Sequence, residues 1–246
     1  VGCFFVWGQP VWVAFLASMA VGLVFGALNG FLVGYMRLRA FLTTLVTLII
    51  FRAAFDILVV DYNTQIQSSD AQSDLWDFIG DGTFHGLSVA VIAAVLIVIV
   101  AHVVITRSRP GWHILAVGGS RRSAHNAGIR VRRTVFVTYV ISGLCCGLAG
   151  FLIGCRLSGA GPGTGAGLEI LTITACVLGG NSLGGGRGSI LKAVMGTIVV
   201  VVTNNGLIRM GMGTGSNQMV LGIMLAAAVI LDILGRKNRH MGRDEV

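Results

Sequence analysis

Long uninterrupted runs of apolar residues alternate along this chain with short polar connections. The runs occupy residues 10–36, 41–60, 87–106, 134–154, 168–180, 190–208 and 218–234. A helix crosses about 30 Å of hydrocarbon with about 20 residues at 1.5 Å each, so the run lengths predict membrane-spanning helices. Alternation with period two is absent and the runs are about twice the length of a barrel strand, which argues against a transmembrane β-barrel. The pattern predicts an all-α fold: a polytopic transmembrane helical bundle with about seven membrane segments in this chain. The fifth run is too short to span alone. It is expected to tilt, to continue through residues 181–183, or to form a broken helix whose open backbone is shielded by its neighbours.

Composition sharpens this picture. Hydrophobic residues make up 54% of the chain and charged residues 11%, against about 25% charged in a soluble domain. Mean hydropathy is +0.84. The net charge of +8 would suit nucleic acid, but the placement of the charges argues for a membrane topology signal instead. Of the 18 Lys and Arg, 15 lie in alternate connections: Arg37 and Arg39; seven arginines between 107 and 133; Arg187 and Lys192; and four residues after 235. The opposite connections hold Arg156 and Arg209, while the long connection 61–86 has five Asp and no Lys or Arg. The positive-inside rule makes the first set cytoplasmic, with the C-terminus inside and the start of the chain outside. An odd number of crossings from an external start, beginning at Val1, leads to the expectation of further helices upstream. Residues 1–9 lack the basic region of a signal peptide. The five cysteines include no C-x-x-C spacing, so neither a disulfide framework nor a zinc site is predicted.

Within the apolar runs, small and polar residues stand out. Gly22, Gly26, Gly30 and Gly34 recur every fourth residue, and Gly143, Gly147, Gly150 and Gly154 form a second series. Such stripes let helix backbones approach closely. Asn29-Gly30 and Asn204-Asn205-Gly206 interrupt two runs with amides that need either interhelical partners or a wet path. Arg52 and Asp56 share a helix face at a spacing of four and are expected to form a structural ion pair, as are Asp232 and Arg236.

Catalytic patterns are missing. No G-x-x-x-x-G-K-[ST] occurs, and the glycine-rich run 179–188 lacks the Lys-Ser/Thr pair that holds phosphate and Mg²⁺. There is no H-E-x-x-H and no paired-carboxylate arrangement. The chain reads as a non-catalytic subunit without metal or cofactor of its own. In the connection 107–133 the residues predict a short helix from Ser120, a plausible N-cap, to Ala127, with Gly128 suited to the left-handed C-terminal position. On residue chemistry alone its arginines are a topology signal and lipid anchors.

Two stretches, ILAVGGSRRSAHNAGI at 114–129 and RLSGAGPGTGAGLEILTITACVLGGNSLGGGRGSI at 156–190, resemble the permease subunits of bacterial ABC importers for ribose, xylose and related monosaccharides. That family is itself similar to branched-chain amino acid permeases. The order of the stretches, followed by Asn204-Asn205-Gly206 and a last helix, matches over most of residues 15–234; Asn29-Gly30, Arg37, residues 41–45 and Arg52 resemble its amino-terminal half. The resemblance implies one transmembrane permease domain over 1–246, part of a ten-helix arrangement, with 107–133 as a cytoplasmic coupling loop. It implies separate ABC ATPase subunits that bind ATP and Mg²⁺, a periplasmic sugar-binding protein, a second permease chain in a homo- or heterodimer, and a location in the bacterial inner membrane. No nucleic-acid partner is implied. In the family the short cytoplasmic helix docks on the ATPase, which makes Ser120, Ala124, Ala127 and Gly128 coupling candidates. Candidates for the translocation path, chosen by position, are Asn29, Thr43, Thr44, Asn181, Ser182, Asn204 and Asn205. The alternative is an ion-coupled secondary transporter, whose engine would be a titrating intramembrane residue such as Asp56.

Overall fold

A computed structural model describes residues 10–68, 74–80, 82–84, 86–157, 159, 161, 163–182, 184–211 and 213–241; for 61–68, 74, 77, 84, 214 and 231–241 it describes the backbone alone. The helices are α1 Val11–Gly34, α2 Ala40–Ser68, α3 Asp74–Gly80, α4 Val89–Arg107, α5 Arg109–Gly119, α6 Arg121–Asn126, α7 Val131–Leu157, α8 Leu168–Leu178, α9 Ile190–Arg209 and α10 Thr214–Met241. Two residues each of β1 (Thr83–Phe84) and β2 (Leu87–Ser88) form an antiparallel hairpin ahead of α4.

Among the described residues five helices are long and apolar enough to cross a membrane: Val11–Gly34, Ala40–Val60, Val89–Arg107, Val131–Leu157 and Ile190–Arg209. Leu168–Leu178 and Gly215–Ile230 are shorter apolar stretches. The seven apolar runs thus become helices, and the fifth is a helix of 11 residues, as its length requires. The structure adds what the runs do not show. The second helix continues past the apolar run to Ser68, and α3 and the hairpin occupy part of the connection 61–86.

The surface is that of a protein solvated by hydrocarbon. Leu16, Val24, Phe31, Ile49, Leu96, Val100, Val202 and Ile223 are all exposed, and α4 has no buried residue. In water such a surface would associate; in a bilayer it meets lipid tails, and helix association falls to close packing and interhelical hydrogen bonds.

The chain forms two compact units, Val1–Ile99 with Ala124–Thr164, and Val100–Ser123 with Gly165–Val246. In the first, α1 packs along α7 through the predicted glycine stripes. A Cβ on Gly26 would lie 2.6 Å from Tyr139 O and 3.0 Å from Gly143 Cα, and one on Gly147 would lie 2.6 Å from Ser18 O. Gly22 and Gly143 face each other's backbone carbonyls in the same way. Gly150 departs from the stripe: nothing lies within 4 Å of the position its Cβ would take. The end of this pair at Val11 and Cys155 is closed by α3, whose Trp76 meets Phe151 edge-on at 5.8 Å, while Phe15 meets the same ring at 5.3 Å. Val11, Ala14, Trp76, Phe151 and Cys155 form the buried cluster there. Helix α2 joins α1 through Phe25 stacked on Phe51 at 3.9 Å.

In the second unit α8 packs against α9 and α10 around Ala175, Val200 and Leu221. Gly196 makes the crossing close, since a Cβ there would meet Gly179 N at 2.7 Å and the carbonyl of Ala175. Helix α8 ends in a Schellman arrangement: Gly180, at φ +83°, donates to Val177 O, and Asn181 N–H donates to Cys176 O.

Candidate functional site

The predicted path residues fall in both units. In the first, Thr47 on α2 donates to Asn29 Oδ1 on α1 at 2.9 Å. Asn29 therefore has an interhelical partner, one that the sequence reading did not name. Thr43 and Thr44 turn their hydroxyls back on their own helix, to Arg39 O and Ala40 O at 3.0 Å each, and Thr43 is buried. These bonds satisfy the hydroxyls inside an apolar helix without a second helix.

In the second unit Asn217 Nδ2 on α10 donates to Asn204 Oδ1 on α9 at 2.6 Å. The pair leaves Asn217 Oδ1 buried with no hydrogen-bond partner. Asn205 is exposed. Asn217 escaped the sequence reading because the last apolar run begins one residue later. Asn181 and Ser182 belong to the loop between α8 and α9. Asn181 Oδ1 accepts from Ser189 N–H at 2.8 Å, and Ser182 N–H donates to Arg187 O at 3.1 Å. The Asn181 carbonyl oxygen is thus already engaged in bracing a turn. A 310 Å³ cavity beside α8 and α9, lined by Leu178, Gly179, Leu191, Lys192, Met195, Gly196 and Val199, includes none of the predicted path residues.

The structure does not join Arg52 to Asp56, and Asp56 Oδ1 is buried without a hydrogen-bond partner. The physical reason is the order of the residues. Side chains on a helix lean toward its N-terminus, so a basic residue four positions ahead of an acidic one leans away from it, whereas the reverse order brings the two together. The side chains of Asp232 and Arg236 lie outside the described residues. His102, on α4, is a further polar group in an apolar helix, and its Nδ1 is buried without a partner.

The connection 107–133 is built as its residues predict, with one addition and one correction. The addition is α5, an amphipathic helix before the short one, opened by Ser108, whose side chain accepts from Gly111 N–H, and by Pro110 in its first turn. Ser120 then ends α5 and caps α6: its Oγ accepts from Ser123 N–H at 3.2 Å. Gly128, at φ +80°, donates to His125 O, and Ile129 N–H donates to Ala124 O, a second Schellman ending. The correction concerns Ala124, which is 4% exposed and so faces the protein. Arg121, Arg122, Ser123, His125, Asn126 and Ala127 are exposed, as are the capping residues Ser120 and Gly128.

The C-terminal end of α5 meets the glycine-rich loop backbone to backbone. A Cβ on Gly118 would lie 2.8 Å from Gly186 N, and one on Gly185 would lie 2.6 Å from Gly118 O. Gly185 and Gly186 are left-handed, at φ +83° and +73°. The stretches 114–129 and 156–190, far apart in sequence, therefore touch at their glycines. Among the described residues no cluster of His, Cys, Asp or Glu could hold a metal ion.

Apolar helices joined by interhelical amides, with a capped polar turn between spans, are those of a polytopic membrane protein. The chain belongs to the family described as the permease component of the branched-chain amino acid transport system, whose model matches residues 2–229. It is similar to the D-allose transport system permease protein AlsC of Escherichia coli K12, at 35% identity over 92% of this chain and 68% of the relative. The ribose import permease protein RbsC of the same organism is 31% identical over 89% of this chain and 68% of its own length. The fructose import permease protein FrcC of Rhizobium meliloti is 33% identical over 95% and 66%. No solved structure matches the chain.

Proposed function

We propose that this chain is the membrane-spanning subunit of an ATP-binding-cassette importer and forms the translocation path for a monosaccharide of the ribose and xylose kind. The observation that carries this reading is the likeness to permeases named for D-allose, ribose and fructose over about nine-tenths of the chain. The same likeness favours an importer over an ion-coupled secondary transporter. A periplasmic binding protein delivers the sugar, a second permease chain completes the path, and separate ATPase subunits bind ATP and Mg²⁺. The chain sits in the bacterial inner membrane with its C-terminus in the cytoplasm, which the charge asymmetry supports.

The connection 107–133 is the coupling loop, and α6 is the part that touches the ATPase. Its support is a short helix held at both ends by caps, displaying Arg121, Arg122, His125 and Asn126. Sugar recognition along the path is weak and falls to the side-chain amides of Asn29, Asn204, Asn205 and Asn217, because tight selection belongs to the binding protein. The test is reconstitution with the ATPase and binding protein in vesicles. Sugar uptake that requires ATP is expected; uptake driven by an ion gradient with no ATPase present would overturn the reading.

A further inference from the structure

Where α5 meets the 184–188 loop, the atoms nearest to Gly118, Gly185 and Gly186 are backbone. Where side chains meet, a displacement of a few tenths of an ångström is absorbed by rotamer changes; where backbone meets backbone, it is passed on. Both sides of this contact are also braced. On one side Ser120 ends α5 and caps α6, so the two helices meet at a single residue. On the other, the loop is closed by Ser182 N–H to Arg187 O, Gly185 N–H to Ser182 O and Ser189 N–H to Asn181 Oδ1, at 3.1, 3.1 and 2.8 Å. The loop's two flanking helices are themselves locked, since Gly196 of α9 lies against Gly179 and the Ala175 carbonyl at the end of α8. From α9 the connection continues to α10 through Asn204 and Asn217.

We propose that Gly118, Gly185 and Gly186 form a rigid joint that transmits movement of the coupling segment to the α8–α9 hairpin, making them positioning residues for transport. The inference rests on the proposed coupling role of 107–133. Displacing α6 and the end of α5 pushes the 184–188 loop, and the braced loop turns α8 and α9 as one body. The Asn204–Asn217 bond on α9 and α10 then lies at the far end of the same packed chain of contacts, within the membrane.

The structure supplies its own control. Gly118 is helical, so Gly118→Ala adds no backbone strain, but its Cβ would sit 2.8 Å from Gly186 N, inside the 3.4 Å of ordinary contact. Gly119→Ala, one residue on, would meet Gly186 Cα at 3.7 Å, an ordinary contact. In vesicles holding the permease, ATPase and binding protein, Gly118→Ala is expected to keep ATPase binding and to lose about tenfold in sugar transported per ATP hydrolysed, within the range of mutations along coupling networks. Gly119→Ala is expected to transport as wild type. Equal transport by both variants, or equal loss of ATPase binding by both, would overturn the joint. Amide exchange in the unsubstituted complex gives a second reading that does not depend on a variant folding. Protection at 184–188 is expected to change together with that at 118–123 when a non-hydrolysable ATP analogue is added, and an unchanged loop beside a changed 118–123 segment would also overturn it. Absence of ATP-dependent uptake by the wild type would instead remove the proposed function itself.

Discussion

At Thr47 a single hydroxyl joins α1 to α2 by donating to Asn29, and a bond of this kind inside hydrocarbon has a measurable worth. Double-mutant cycles on membrane helices average about 0.6 kcal/mol, with a maximum near 1.7. A cycle on Thr47→Val and Asn29→Leu, followed by thermal unfolding in detergent, is expected to return a coupling of that size, and Thr47→Ser is expected to retain most of it. Arg52 and Asp56 lead to the opposite expectation. With no bond between them, Arg52→Leu and Asp56→Leu are expected to add within about 0.5 kcal/mol. Asp56→Leu also removes a buried oxygen without a partner, so it should cost little or stabilise. A strong coupling in that cycle would show that the carboxylate and guanidinium meet.

Helix pairing depends on whether a glycine faces backbone or open space, and the two series differ in this. Gly26→Leu is expected to separate α1 from α7, because its Cβ alone would meet Tyr139 O at 2.6 Å; loss of the monodisperse peak in size-exclusion chromatography checks it. Gly150→Ala, in the same apparent stripe, is expected to leave the peak unchanged, as nothing lies near its Cβ. For α6 the sensitive position is Gly128. Its left-handed backbone makes Gly128→Ile cost about 1–2 kcal/mol, and ATP-dependent uptake is expected to fall while the bundle remains folded. Ala124→Arg is a poorer probe of docking, since Ala124 is buried and the substitution would strand a charge inside the protein.

For the whole molecule the expectation is topological. With native cysteines removed, a single cysteine at Thr83 should label from the periplasm and one at Ser123 from the cytoplasm, both positions being exposed. Labelling at Ser123 from the periplasm would invert the charge-derived orientation. The helices were legible in the sequence, because hydrocarbon demands long apolar runs with internally bonded backbone and Gly and Ser leave local cap signals at Ser120 and Gly128. Family membership was legible because two motifs recur in order. What only the tertiary structure decided were relations between distant residues. Asn29 meets Thr47 and Asn204 meets Asn217, whereas Arg52 does not meet Asp56. Spacing along a helix fixes a shared face but not whether two side chains on that face meet, which depends also on their order and neighbours. Glycine spacing likewise marks where backbones could approach, but only the packed helices show that Gly26 has a neighbour, that Gly150 has none, and that Gly118 lies against Gly186. Contact across the chain is set by how whole helices pack, and local sequence carries no record of that.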